Sequence, residues 1–285
     1  MPATVLVLGA TGRTGRRVVS LLAEQGHTIR AASRAPGSPE GSVTPIHFDW
    51  GDPATYPPAL DGVDAIYQWF PISPDTTTEV AALLDDAKTA GVRRVVHLSN
   101  ATAQLSGEDF PMHWVERYLE TGPVPATILR PNVFAENFSE HPAILQGIRT
   151  GLVSVPAGDG RVAPISVEDI AAVAAVALTE ERASAQDLKT LNKDPIHCPF
   201  RNMAAIVGDA AGENRCRKQA MDPAEFREAM LRGGIPGHVA DFYAALYEGI
   251  RNNLAADVTG EVQRITGRPP VSFADYANAV AALWR

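Results

Sequence analysis

Short apolar runs alternate with apolar-periodic stretches along the first 130 or so residues of the chain. Residues 4–8 are almost wholly aliphatic and stop at a glycine-rich turn. A stretch carrying Val18, Leu21 and Leu22 on one helical face follows. That order predicts strand, tight turn, helix. The alternation continues, with strands predicted at 27–33, 44–48, 63–68, 92–98 and 126–129. Between them, Asp52-Pro53 opens a short helix, Asp75 caps one running to about 90, and another covers 111–120. Most of these strands lack polar alternation, as expected where helices cover both faces of a sheet. Short strands alternating with helices imply an α/β fold built on a right-handed, doubly wound parallel sheet.

After Pro131 the rhythm changes. Ser166-Val-Glu-Asp169 resembles a capping box and opens an Ala/Val helix ending near Leu178. Further helices open at Asp222 and Ser272, and one spans 238–255. This part reads as mostly helical, packed beside the C-terminal edge of the sheet, where open α/β folds bind ligands.

The first turn, Gly9-Ala-Thr-Gly12-Arg-Thr-Gly15, lies between strand and helix. Glycines at this spacing allow a tight turn, approach of the backbone to a pyrophosphate and close helix–strand packing. The helix N-terminus supplies free N–H groups and partial positive charge to phosphates. Gly9, Thr11, Gly12, Arg13, Thr14 and Gly15 are therefore candidate dinucleotide contacts. An NAD-selective site places an acid about 20 residues beyond such a turn. Here no acid stands between Glu24 and Glu40. Ser33 and Arg34 instead offer a hydroxyl and a guanidinium to a 2′-phosphate, with Arg13 as a second cation. The expected cofactor is NADP(H).

The turn, the Ser33-Arg34 strand end, Leu129-Arg-Pro-Asn-Val-Phe-Ala-Glu-Asn137 and Ile165-Ser-Val-Glu-Asp169-Ile-Ala171 together resemble the NmrA-like atypical short-chain dehydrogenase/reductases. The tail Thr266-Gly-Arg-Pro-Pro-Val-Ser-Phe-Ala-Asp-Tyr276 is similar to that of the branch holding NAD(P)H quinone reductases and ergot-alkaloid (agroclavine/festuclavine) dehydrogenases. The resemblance implies a Rossmann domain at 1–150, rejoined by segments around 160–192, and a smaller, mostly helical substrate domain at 151–285. It implies bound NADP(H), with Asp49 and Trp50 at the adenine edge and Trp69, Phe70 and Pro71 over the phosphates and ribose. Ser99, Asn100 and Ala101 would face the nicotinamide ribose, and Pro131, Asn132, Val133 and Phe134 the nicotinamide. Members include reductases and redox-sensing regulators without catalysis.

The chain departs from ordinary short-chain dehydrogenases in one respect. Those enzymes use a Tyr-x-x-x-Lys pair, the lysine lowering the tyrosine pKa. The tyrosines here are at 56, 67, 118, 243, 247 and 276, and none has lysine four residues on. Only four of the 25 basic residues are lysine, and none lies between Lys88 and Lys189. The equivalent helix carries His113, where several relatives also have histidine. His113 is the candidate for orienting the nicotinamide or protonating substrate, with Glu116 at i+3 as its expected partner. His97 reads as a core or ribose-side residue. Trp114, Asn137, Phe138, His238, Phe242 and Tyr243 are the candidate walls of an apolar substrate pocket.

The expected function is NADPH-dependent hydride transfer to a small apolar or aromatic electrophile (imine or iminium, quinone, enone), in secondary metabolism. The alternative is an NADP(H)-sensing regulator without turnover. Net charge of −8 argues against nucleic-acid or anionic-membrane partners. No apolar run reaches the roughly 18 residues of a membrane span. Two cysteines support neither a disulfide framework nor a four-cysteine zinc site. A cytoplasmic setting is the expectation, and a homodimer is left open.

Overall fold

The computed structural model describes residues 2–70, 73, 75–101, 103, 111–180, 198–212, 217–256 and 258–284. In chain order the elements are β1 (Thr4–Leu8), α1 (Arg13–Glu24), β2 (Thr28–Ser33), β3 (Val43–His47), α2 (Tyr56–Leu60), β4 (Ala65–Gln68), α3 (Thr76–Thr89), β5 (Arg94–Leu98), α4 (Pro111–Thr121) and β6 (Ala126–Leu129). Then follow α5 (Asn137–Glu140), α6 (Pro142–Arg149), β7 (Leu152–Val155), β8 (Arg161–Val162), α7 (Val167–Thr179), β9 (Cys198–Pro199) and α8 (Phe200–Ala211). The rest comprises β10 (Arg217–Ala220), α9 (Pro223–Arg232), α10 (Gly237–Arg251), α11 (Glu261–Thr266) and α12 (Phe273–Val280).

The first compact unit comprises 1–130, 167–189 and 264–267. Its sheet is parallel, in the order β3-β2-β1-β4-β5-β6. The β1→β2 crossover runs one way along the sheet and β4→β5→β6 the other. Right-handed crossovers therefore set α1 and α3 on opposite faces. Consistent with this, α1 packs against α7, which lies on β4, β5 and β6, while α3 packs against α2 and α4. Val5, Leu6 and Val7 of β1 are fully buried, as a strand covered on both sides requires. Arg94 closes the end of α7, its Nη1 donating to the Glu180 carbonyl at 2.7 Å. That satisfies one of the carbonyls every helix leaves unpaired at its C-terminus.

Two local starts differ in detail. Asp52 does cap, its carboxylate accepting from Ala54 N before the 3-10 turn Pro53–Thr55. Asp75 stands at the N-cap of α3, but its carboxylate makes no capping bond. Ser73 and Thr76 are instead bonded to one another beside it. Thr76 Oγ1 accepts from Ser73 N at 3.1 Å, and Ser73 Oγ donates to Glu79 at 3.0 Å.

The second compact unit comprises 131–166, 190–263 and 268–285. The first unit's continuous stretch thus ends at Arg130 rather than at 150. The reason is apolar: α6 packs on α8 and on the C-terminal 3-10 turn Ala281–Trp284. Phe138, Ile148, Val207, Phe273 and Trp284 belong to this unit's core. Trp284 Nε1 donates to the Phe138 carbonyl at 2.8 Å, and Ser139 Oγ bonds the Tyr276 hydroxyl. Small sheets β7/β10 (parallel) and β8/β9 (antiparallel) complete it. Among the described residues no helix is long and apolar enough to cross a membrane.

Candidate functional site

The glycine turn leaves β1 at its C-terminal end. Gly9 has φ of +69°, a left-handed conformation that favours glycine. Its carbonyl accepts from Gly12 N at 2.8 Å, and Ala10 N donates to Ala32 O at 3.1 Å, tying the turn to β2. A Cβ on Gly15 would lie 2.2 Å from the Gly9 carbonyl oxygen, so α1 sits closer to the turn than any other residue permits. Gly12 is the N-cap of α1 and contributes no side-chain cap, and the first turn of α1 holds no acid. The positive end of the helix dipole is therefore met by no capping side chain and by no acid of its own first turn. These features fit a dinucleotide pyrophosphate.

At the end of β2, Ser33 is half-buried and Arg34 is exposed. Ser33 pairs in register with His47 of β3, and His47 Nδ1 lies 3.1 Å from the Arg34 carbonyl. Just beyond β3, Asp49 Oδ1 accepts from Gly51 N at 3.0 Å. Trp50 is half-buried and meets Phe48 edge-on at 5.2 Å, and the Tyr56 hydroxyl donates to its carbonyl at 2.6 Å. Burial, with nearby carboxylates, pushes the Tyr56 hydroxyl up to about 12.

Beyond β4 the aromatics separate. Trp69 is 44% exposed, whereas Phe70 is 1% exposed and stacks on His97 at 5.5 Å. Phe70 is a core side chain, and Pro71 lies outside the described residues. His97 is fully buried, and neither ring nitrogen has a hydrogen-bond partner among the described residues. Burial, with Arg130 nearby, lowers its pKa to about 3, so the ring is neutral. Gln68, its register partner on β4, is equally buried, and its amide atoms also lack partners among the described residues.

Past β5, Ser99 is buried, its backbone N–H donating to Leu129 O at 2.7 Å. Asn100 Nδ2 donates to the Met112 sulfur at 2.9 Å, while Ala101 is half-buried. The buried stripe of α4 is Met112, Val115, Glu116 and Leu119. Glu116 is therefore not the partner of His113. It turns inward to Arg130, whose Nε reaches both carboxylate oxygens at 2.9 Å and whose Nη2 reaches Oε2 at 2.8 Å. Side-chain exposures of 5% and 1% make this a buried ion pair. The Ser99 hydroxyl donates to Glu116 Oε1. His113 is half-buried, and its Nδ1 has no partner among the described residues. Trp114 stacks on Tyr118 at 4.9 Å.

The remaining expected residues belong to the second unit. Pro131 is buried, and Asn132 is engaged at both ends, donating to the Ala255 carbonyl and accepting from Val133 N at 2.9 Å. Val133 and Phe134 run alongside Ile165. Phe138 is fully buried against Phe273, with ring centroids 5.0 Å apart, so it is core rather than pocket wall. Asn137 is half-buried. On α10, His238 is exposed, while Phe242 and Tyr243 are half-buried and meet edge-on at 5.4 Å.

The Glu116–Arg130–Ser99 network was missed in the sequence reading. Its signal was a glutamate on the apolar stripe of α4 and an arginine directly after an apolar strand. Among the described residues no cluster of His, Cys, Asp and Glu could hold a metal.

Residues 1–248 match the NmrA-like family. The chain belongs to that family. This NmrA-like chain is 32% identical over 289 residues to an NAD(P)H azoreductase of Xenophilus azovorans, covering 98% of each. It is 29% identical over 291 residues to an agroclavine dehydrogenase of Claviceps fusiformis, covering 99% of this chain and 98% of that one. Its fold matches that of an Escherichia coli NADPH-dependent quinone oxidoreductase solved with NADPH, with a TM-score of 0.80 and 23% identity. That alignment covers 97% of this chain and 99% of the other.

Proposed function

We propose that this NmrA-like chain is an NADPH-dependent reductase that directs hydride to a small apolar electrophile such as an iminium, quinone or enone. The observation that carries the reading is the uncapped, acid-free N-terminus of α1 behind the Gly9–Gly15 turn, a cradle that a Cβ would fill. The names of the azoreductase and agroclavine dehydrogenase relatives support the same reaction class. Bound there, the dinucleotide would supply a hydride from its reduced nicotinamide ring.

The chain's own residues do the rest. N–H groups of the turn and the first turn of α1 hold the pyrophosphate. Arg34, with Ser33, holds the adenosine 2′-phosphate and so selects NADPH over NADH. Asp49 and Trp50 border the adenine, and Ser99 meets the nicotinamide riboside half. No lysine stands where a Tyr–Lys pair would be needed, since none lies between Lys88 and Lys189. Electrophiles that accept hydride without enzymic protonation of a carbonyl oxygen therefore suit the site better than simple ketones. Where a proton is required, His113 is its candidate source, because an imidazole nitrogen can both hold and release a proton. Secondary metabolism, in the cytoplasm, is the setting we propose.

The test is a fluorescence titration with NADPH and NADH, followed by NADPH consumption with cyclic iminium ions, quinones and enones. Arg34→Ala is expected to weaken NADPH roughly tenfold or more and to leave NADH within about twofold, the loss of one charge-assisted phosphate contact. Equal losses for both dinucleotides refute the 2′-phosphate assignment. Tight NADPH binding with no consumption by any class refutes the reductase and favours a sensor.

A further inference from the structure

The Ser99 hydroxyl has one proton, and its environment decides where that proton points. Glu116 is held by Arg130 through both carboxylate oxygens, at 2.8–2.9 Å, with both side chains buried. A buried guanidinium needs a counter-charge, so the carboxyl is ionised and can only accept. The Ser99 hydroxyl is therefore the donor in its bond to Glu116 Oε1. What remains on Ser99 Oγ is lone pairs. Turning the proton elsewhere would break a charge-assisted bond inside the protein, the stronger class of hydrogen bond. The backbone cannot follow a ligand either, because Ser99 N is fixed to Leu129 O and the next side chain is tied to Met112.

Ser99 stands one residue past the C-terminal end of β5, at the sheet edge where doubly wound folds take their ligands. We infer that the Glu116–Arg130 ion pair is a positioning device that makes Ser99 an obligate hydrogen-bond acceptor, receiving an O–H or N–H from the nicotinamide riboside half of the dinucleotide. Ser99 then cannot donate to substrate. A ribose hydroxyl or the carboxamide N–H satisfies the same acceptor. This rests on the dinucleotide-binding reading above. Glu116 and Arg130 act through Ser99 and are positioning residues.

The experiment is isothermal calorimetry of NADPH binding to the full chain, with melting temperature followed in parallel. Ser99→Ala removes the acceptor and should raise the NADPH Kd three- to tenfold, on the order expected for one neutral hydrogen bond. Glu116→Met with Arg130→Met replaces the pair by apolar side chains of similar length, a change that buried pairs tolerate. It should also raise Kd, and adding Ser99→Ala to it should raise Kd by less than about twofold, because coupled residues are not additive. A merely structural pair would give additive losses. The 3-acetylpyridine analogue of the oxidised cofactor lacks the amide N–H. If the carboxamide is the donor, the analogue binds wild type and Ser99→Ala equally; if a ribose hydroxyl is, the Ser99→Ala loss persists. Unchanged NADPH affinity in Ser99→Ala, or additive losses, overturns the inference while the dinucleotide reading stands. A wild-type chain that binds no dinucleotide overturns both.

Discussion

Gly15→Ala adds one carbon at the tightest point of the turn. That carbon would sit 2.2 Å from the Gly9 carbonyl oxygen, 2.9 Å from its carbon and 3.0 Å from the Ala10 Cα, all backbone atoms. No side chain can rotate away, and ordinary contact begins near 3.4 Å, so α1 must part from the turn by about 1 Å. Overpacking of this size costs about 1–3 kcal/mol of stability. The functional cost is larger, because the shift displaces the N–H groups that face the pyrophosphate. Misplacement of about 1 Å in a positioned site is worth about 100-fold. The assay is NADPH titration by fluorescence, with urea denaturation of the same samples. Val18→Ala is the control: Val18 is fully buried on the same helix, and its truncation should cost about 2 kcal/mol without moving the turn. Gly15→Ala is expected to bind NADPH at least tenfold more weakly than Val18→Ala at comparable stability. Equal affinities in the two variants would refute the claim that the glycine spacing positions a phosphate cradle.

Three further outcomes concern His97, Trp284 and His113. The His97 ring ordinarily titrates near 6.5 but is held at about 3 in the fold, so only the unfolded chain takes up its proton between those values. Its contribution to stability is therefore lost as pH falls below 6.5, by about 2 kcal/mol between pH 7.5 and 5. His97→Phe should be less pH-sensitive than wild type by that amount in urea titrations at the two pH values; parallel losses in both proteins would contradict a buried neutral ring. Trp284→Ala removes a side chain 4% exposed that donates to Phe138 O, and should cost about 3–5 kcal/mol, read as urea unfolding by far-ultraviolet circular dichroism. His113→Ala should lower turnover at least tenfold with a quinone that needs a proton and leave an iminium substrate within about threefold, by steady-state NADPH consumption; equal effects on both remove His113 as a proton source.

Legibility in the sequence tracks how local the deciding interaction is. β1 was readable because a strand buried on both faces must be almost wholly apolar, and that constraint is written within five residues. The Gly9–Gly15 turn was readable because φ at Gly9 and clearance at Gly15 are set within one turn of chain. Asp75 already shows the limit, since it is a good capping residue standing at the N-cap of α3 and yet makes no capping bond. The partner of Glu116 lay beyond that limit. Helical spacing offers His113 at i−3, yet Glu116 also stands four residues after Met112 and three before Leu119, on the stripe that faces the sheet. A charge on that stripe demands an inward counter-charge, and the available one is Arg130, held at the end of β6 by the sheet rather than by proximity along the chain. The same logic separates Trp69 from Phe70: adjacent aromatics on a strand end point opposite ways, so one is exposed and the other packs on His97. A polar residue at an apolar register position is thus the sequence signal to follow, because burying it obliges the fold to bring a specific partner to it. Glu116 found its partner in Arg130 and passed the consequence to Ser99. His97 and Gln68, side by side in register, have not found one among the described residues. Burying two such polar groups on adjacent strands costs stability unless each finds a hydrogen-bond partner.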